Sequence, residues 1–279
     1  MIKRNFKFSI IVRTKNRKKL ISRSINSILQ QTYKDYEILI IDDNSSDGTE
    51  EFINFKYKNK TDKIKYHYLK KRAGNVKALE IGIKKSEGNI ICFLDSDDKW
   101  HKNFLLEHFK VYDKLKNIDC VYNNTITIID GKKLQAKKFG IEGKCYDKAL
   151  ANLSLSSQIA LSFKSKCWNK IKKLDKKILN EDDDLCIRLS KYFKFKYIDK
   201  ILSYAIHDLR SPGISSNKLA NANNYEKLLN KYQKDIRKIL GNKVIAKHYY
   251  ILAKKFFNAN KYFKFLYNFK KFFYLTISK

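Results

Sequence analysis

Ile90-Ile91-Cys92-Phe93-Leu94-Asp95-Ser96-Asp97-Asp98 runs five apolar residues straight into a cluster of three carboxylates. An apolar run of that length, rich in Ile and Phe, reads as a strand buried on both faces of a parallel sheet. Acids at its C-terminal end then sit where open α/β sheets bind ligands. Three carboxylates within four residues repel one another unless a cation holds them. An all-oxygen set of this kind suits Mn²⁺ or Mg²⁺, which also takes phosphate oxygens from a substrate. A solvated acidic turn after a strand would look the same in isolation, so the neighbouring sequence has to decide.

Upstream, the alternation of strand and helix repeats. Phe8–Arg13 reads as a strand, and Lys18–Gln31 as a helix with Ile21, Ile25, Ile28 and Leu29 on one side. Tyr36–Ile41 is a second buried strand ending in the polar turn Asp42-Asp43-Asn44-Ser45-Ser46-Asp47-Gly48-Thr49. A short helix through Phe55, a strand near Ile64–Leu69 and a helix over Ala73–Lys85 lead back to Ile90. This β-α-β-α-β-α-β order in about 95 residues argues for a doubly wound, mostly parallel α/β sheet. Its second and fourth strands end in carboxylates on the same edge.

Beyond Trp100 the pattern changes. The spacing predicts a helix over 102–116, a strand at Cys120–Asn123, and a hairpin of Thr125–Ile129 and Lys132–Ala136 around Asp130-Gly131. Asp183–Lys191 reads as helix, Phe195–Ile198 and Leu202–Ile206 as two strands, and Ser211-Pro212-Gly213 as a turn before a helical remainder. With one Pro and nine Gly in 279 residues, no flexible linker is evident. No stretch is apolar for long enough to span a bilayer, and the N-terminal apolar run is too short for a signal peptide. The five Cys, odd in number and without a C-x-x-C, read as reduced buried thiols and so suggest a cytoplasmic protein.

In order along the chain stand Ser9-Ile10-Ile11-Val12-Arg13-Thr14-Lys15-Asn16-Arg17, Ser27-Ile28-Leu29-Gln30-Gln31-Thr32-Tyr33, Glu37 through Thr49, Glu87-Gly88-Asn89 before Phe93–Asp98, and Glu181-Asp182-Asp183-Asp184-Leu185. Together they resemble the inverting family-2 nucleotide-sugar glycosyltransferases of GT-A fold, over about residues 6–215. That resemblance implies a division into a GT-A unit at 1–215 (nucleotide side 1–100, acceptor side 101–215) and a basic, aromatic-rich helical extension at 216–279. It implies that Arg13 and Thr14 lie in the nucleotide-contacting loop and that Asp43 accepts a hydrogen bond from the base. Asp95 would contact the ribose, with Asp97 and Asp98 binding Mn²⁺ or Mg²⁺. Asp182 is the expected general base, since single displacement needs one carboxylate to deprotonate the attacking hydroxyl. Asp183 is its rival, and any of the four acids would also be favoured at a helix N-terminus. His207 and Arg210 resemble late groups that meet the diphosphate. In Arg72-Ala73-Gly74-Asn75-Val76-Lys77-Ala78-Leu79-Glu80 the family's Arg and Asn positions are Leu79 and Glu80, so Arg72 or Lys77 is expected to supply the charge, beside Gly74.

The formal net charge is +32, and residues 241–279 carry nine Lys, no acid and twelve Phe or Tyr. Tyr262, Phe265, Leu266, Phe269, Phe272 and Phe273 fall near one side of a helix, the pattern of an interfacial membrane helix or of a helix packed on the core. The implied partners are a nucleoside-diphosphate sugar, a saccharide or lipid-linked saccharide acceptor, and an anionic membrane surface on the cytoplasmic face. Two other classes compete. A sugar-1-phosphate nucleotidyltransferase should open with a Gly-rich phosphate loop, and Arg13-Thr14-Lys15-Asn16 has no Gly. A non-enzymatic membrane- or nucleic-acid-binding module explains the charge but leaves the acidic strand ends idle.

Overall fold

The structure, a computed structural model, describes residues 6–57, 60–134, 140–178, 181–207 and 217–277. In its first half, β1 (Phe8–Thr14), α1 (Ile21–Leu29), β2 (Tyr36–Asp42), α2 (Thr49–Tyr57), β3 (Ile64–Tyr68), α3 (Asn75–Lys85) and β4 (Ile90–Phe93) follow the expected alternation. Their sheet order is β3-β2-β1-β4, all parallel. Successive strand side chains point to opposite faces. Ile11, Leu39, Ile41, Ile91 and Phe93 therefore meet α3 through Val76, Leu79 and Ile83 in one core. Ile10, Val12, Ile38, Ile40, Ile90 and Cys92 meet α1 and α2 through Ile21, Ile25, Ile28 and Ile53 in another. A sheet covered on both sides needs strands that are apolar throughout, which is why β2 and β4 show no alternation with polar residues.

Two small features lock this half. Glu37, buried on β2, accepts from Ser9 Oγ at 2.6 Å and from the Glu87 backbone N–H at 2.7 Å. A Cβ on Gly88 would lie 2.5 Å from the Lys7 carbonyl, so only glycine fits where the chain enters β4.

The second half adds β5 (Lys99–Trp100), α4 (Phe104–Lys114), β6 (Cys120–Ile129), β7 (Lys132–Lys133), α5 (Tyr146–Asn152), β8 (Leu161–Lys164), α6 (Trp168–Ile171), α7 (Glu181–Tyr192) and β9 (Phe195–His207). They extend the sheet as β4-β8-β6-β9-β5 with mixed direction, and β7 pairs with β6. The turn of the expected hairpin forms, with positive φ at both Asp130 and Gly131 and pairing of Ile128–Ile129 with Lys132–Lys133; the expected end of its second strand, 135–136, lies outside the described residues. Two readings change. Cys120–Asn123 and Thr125–Ile129 are one strand, and so are Phe195–Ile198 and Leu202–Ile206. Polar residues interrupt both apolar patterns, but the interruptions bond each other. Asn124 Nδ2 donates to Asp199 Oδ1 at 2.9 Å, and the parallel ladder continues across irregular register at Asn123–Thr125.

The chain closes with α8 (Lys218–Asn258), kinked at Gly241, and α9 (Tyr262–Ile277). Leu228, Leu229, Tyr232, Ile236, Ile245, Leu252 and Phe256 of α8 belong to the same core as α3. The single aromatic face expected on α9 is split. Phe265 and Phe272 pack half-buried on the core, while Tyr262, Leu266 and Phe273 are exposed. α9 lies against α8 through one row, where Phe265 meets Phe257 and Phe272 meets Tyr250, which leaves the opposite row uncovered. Among the described residues no helix is long and apolar enough to cross a membrane, and all five Cys are buried and free.

Candidate active site

Strand ends supply one wall. β1 delivers Arg13 and Thr14, β2 delivers Asp42 and leads into Asp43, and β4 leads into Asp95, Asp97 and Asp98. The opposite wall is the first turn of α7, with the short 3-10 turn Gln158–Ala160 and the end of β9. Between them lies a cleft of about 470 Å³. Arg13, Thr14, Asp43, Asp95, Asp97, Asp98, Asp182 and His207 all line it, as do Arg17, Arg72, Asn75 and Gln158. Gly74 and Lys77 are not in its lining. Lys77 points to Glu80 at 3.5 Å along α3, and Gly74 acts through its backbone, donating to Asp43 Oδ2 at 3.0 Å. Asp43 thereby fixes the Arg72–Asn75 loop, while Asp42 is consumed by Tyr66 OH and the Ser45 N–H. Arg210 and the expected turn Ser211-Pro212-Gly213 lie outside the described residues.

The four acids of α7 separate by partner. Glu181 is ion-paired with Arg13, which also donates to Asp95 Oδ1 at 3.1 Å. Burial works against the Arg13 guanidinium, but Asp95 and Glu181 outweigh it and raise its pKa. Asp184 is fully buried, with Lys231 Nζ and Tyr232 OH of α8 each at 2.6 Å, so it anchors the helix. Asp182 lines the cleft. Burial, then the charges of Asp183 and Glu181, push its carboxyl well above the usual carboxylate range.

Burial and crowding also raise Asp97 and Asp98. Burial and then Asp95 lift Asp97, despite Arg17 at 3.8 Å. Burial, Asp95 and Asp97 lift Asp98 well up, although its Oδ1 accepts from the Ile206 N–H at 2.8 Å. Carboxylates held together at this cost fit a hard divalent cation. Mg²⁺-like ions need only one or two protein carboxylates, the remaining positions going to water and phosphate. Among the described residues no group of three or more His, Cys, Asp or Glu is arranged to hold a metal ion by itself. Two buried polar atoms at the cleft, Thr14 Oγ1 and Gln158 Nε2, have no hydrogen-bond partner, and such atoms are costly unless a ligand satisfies them.

The sequence profile of glycosyl transferase family 2 matches residues 9–195. The chain belongs to this family. WfgD of Escherichia coli, a UDP-Glc:alpha-D-GlcNAc-diphosphoundecaprenol beta-1,3-glucosyltransferase, is 36% identical over 151 residues, covering 53% of this chain and 56% of its own. TarS 1–349 of S. aureus in complex with UDP-GlcNAc superimposes with a TM-score of 0.70 at 19% identity, over 96% of this chain and 81% of that one. The mannosyltransferase PcManGT of Pyrobaculum calidifontis, in complex with GDP-Man and Mn²⁺, gives a TM-score of 0.68 at 15% identity over 92% and 74%. The fold is therefore GT-A. The chain spans well under two thirds of the length of most curated relatives it matches.

Several residues that line the cleft escape a reading of the sequence. Glu181 pairs with Arg13 across 168 positions, which no local pattern reveals. Gln158 sits in a stretch without a recognisable motif. Arg17 could have been found, because it ends the Ser9–Arg17 stretch that carries the family resemblance; it ion-pairs with Asp97 at 3.8 Å.

Proposed function

We propose that this chain is a metal-dependent, inverting glycosyltransferase that moves a sugar from a nucleoside-diphosphate donor, a UDP-sugar first, to a hydroxyl of a glycan or lipid-linked saccharide in cell-surface polysaccharide or glycoconjugate synthesis. The observation that carries the reading is one cleft with Asp95, Asp97 and Asp98 on one wall and Asp182 on the other. The donors named for TarS, PcManGT and WfgD, and the lipid-linked acceptor named for WfgD, support the substrate classes. Asp182 takes the acceptor hydroxyl proton as that oxygen attacks the anomeric carbon, and its raised pKa makes it a stronger base near neutral pH. Arg13 holds Asp95 in place for the nucleotide, and Thr14, Asp43 and Arg72 border the donor. A divalent cation held by Asp97, with Asp98 beside it, would neutralise the departing diphosphate. With Asp182 as the one base, Glu181 tied to Arg13 and the β4 acids assigned to nucleotide and metal, the reading implies inversion. Screening UDP- and GDP-sugars with Mn²⁺ for hydrolysis and transfer, then reading the product's anomeric configuration by NMR, tests this. Retention of configuration would remove the single displacement, and inertness toward every donor would remove the reading.

Residues 1–215 are proposed as the transferase unit, with 216–279 carrying a membrane-facing surface. What supports this is the outer side of α9, where Phe263 is 93% exposed and Leu266, Tyr267, Phe273, Tyr274 and Ile277 are also exposed at helical spacing. No acid occurs from residue 241 onward. A basic helix with an apolar outer row suits an anionic bilayer. Vesicles containing phosphatidylglycerol should pull the protein down at low salt, and less at high salt. Phe263→Ser with Tyr274→Ser should lose this without lowering the melting temperature. Equal binding by that variant would detach α9 from the membrane role.

A further inference from the structure

Ser27-Ile28-Leu29-Gln30-Gln31-Thr32-Tyr33 is one of the stretches that carry the family resemblance, yet none of its side chains lines the cleft. The helix it closes, α1, has two buried sides. Ile21, Ile25 and Ile28 enter the core. Ser24, Ser27 and Gln31 are buried too, and their helical spacing puts them in one row along α1 and its last turn. Polar side chains at such depth are costly unless bonded. Each of the three is bonded to the segment that follows β4.

We propose that this row, Ser24 above all and with Arg23 beside it, consists of positioning residues that hold the acid turn after β4 in the shape a cation needs. The assignment rests on the cation site proposed above. The Asp98 N–H donates to the Asp95 carbonyl at 3.1 Å and closes the turn that carries the three carboxylates. Ser24 Oγ donates to the same carbonyl at 3.0 Å, which uses its second lone pair. Arg23 Nη1 donates to the Asp97 carbonyl at 2.9 Å. Like charges this close drive the turn open, and backbone bonds from α1 oppose that before any cation arrives. Ser24 meets the Asp95 backbone and not its carboxylate, so it acts on the acids through the geometry of the turn.

The rest of the row carries the frame onward. The Trp100 N–H donates to Ser27 Oγ at 3.2 Å. Gln31 Nε2 donates to the His101 carbonyl at 2.9 Å, and Gln31 Oε1 accepts from the Leu105 N–H at 3.0 Å. β5 shows why side chains take this task. Among the described strands it pairs with β9 alone, so the backbone of its other edge has no strand to bond and needs partners. An apolar row on α1 would fill the same space but leave those groups unpaired.

Ser24→Ala in the full chain tests the proposal, since it removes one hydroxyl, changes no charge and suits a helix. Hydrogen exchange of the metal-free protein, read by mass spectrometry over residues 94–105, should be faster in the variant, while peptides from β1 and β2 exchange as in wild type. The Mn²⁺ concentration that gives half of the UDP-induced melting shift should rise about tenfold or more, the scale of losing a group that orients a metal ligand. Ile25→Val, a core change on the same helix, should lower the melting temperature and leave both readouts alone. A purely structural role for α1 would make the two variants behave alike. Arg23→Met is the second variant should Ser24→Ala fail to fold; it should raise the Mn²⁺ requirement, and Arg23→Lys, which keeps a donor and the charge, should recover part of it. Unchanged exchange over 94–105, or faster exchange with the same Mn²⁺ requirement, would overturn the proposal. If the wild-type UDP shift ignores chelator, the cation reading fails, while the exchange result still judges whether α1 shapes the turn.

Discussion

The β4 wall and the α7 wall of the cleft carry acids of similar burial but are held in different ways. Asp95, Asp97 and Asp98 follow directly on a four-residue strand whose every side chain is buried, so local sequence brings them to the sheet edge, where Arg13 and the Ile206 N–H then hold Asp95 and Asp98. Asp182 is placed by remote pairs: Glu181 to Arg13 of β1, and Asp184 to Lys231 and Tyr232 of α8. The first wall should therefore tolerate changes in α8, none of whose residues pairs with it. The second should feel changes in α8, far along the sequence, because α8 fixes the helix that presents the base.

The largest effect that separates the walls is on transfer. Asp182→Asn should lower kcat by about two to four orders of magnitude, the scale of a lost general base, and leave UDP binding unchanged. Asp183→Asn should cost much less. The reverse ranking would move the base by one residue.

Asp184→Ala sharpens the comparison through stability. It leaves Tyr232 without its buried partner and Lys231 with only Asp175 at 2.9 Å, and breaking a buried pair costs up to about 3–5 kcal/mol. Lys231 is about a third exposed, so a loss of roughly 2 kcal/mol is expected, with a melting temperature lower by several degrees. The variant should bind UDP below its melting point while transferring poorly. An unchanged melting temperature would mean that α8 does not hold the second wall.

The smallest effect is on pH. Because the Asp182 carboxyl is raised in the folded state, its contribution to stability is full below the ordinary carboxylate value of about 4 and is lost as pH rises through the raised value. Asp182→Asn mimics the protonated acid, so it should melt a few degrees higher than wild type at about pH 8 and no higher at about pH 4. Transfer by the wild type should rise over the same window, since the base works deprotonated. A wild-type rate flat across that window would exclude Asp182 as the titrating base.

The same contrast explains what the sequence disclosed. The β1–β4 half was legible because two-sided burial leaves unbroken apolar runs that stop at carboxylates. β6 and β9 each read as two strands because Asn123-Asn124 and Asp199-Lys200 break the apolar pattern, and only their cross-strand bonds reveal continuity. Lys77 was expected in the site from its place in the Arg72–Glu80 segment, but the helical turn directs it to Glu80. The aromatic residues of α9 were read as one face, because spacing alone cannot tell which row another helix already covers. The roles of Glu181 and Asp184 were hidden for the same reason as Gln158: their partners are distant in sequence.

UDP-induced melting in Mn²⁺, repeated with excess chelator, most directly tests whether the β4 acids hold a cation for a nucleoside diphosphate. The expected result is a rise in melting temperature with UDP and Mn²⁺, abolished by chelator and absent in Asp97→Ala, whose own melting temperature without ligand is not lowered. An equal UDP shift with and without metal, or an undiminished metal-dependent shift in Asp97→Ala, would contradict it.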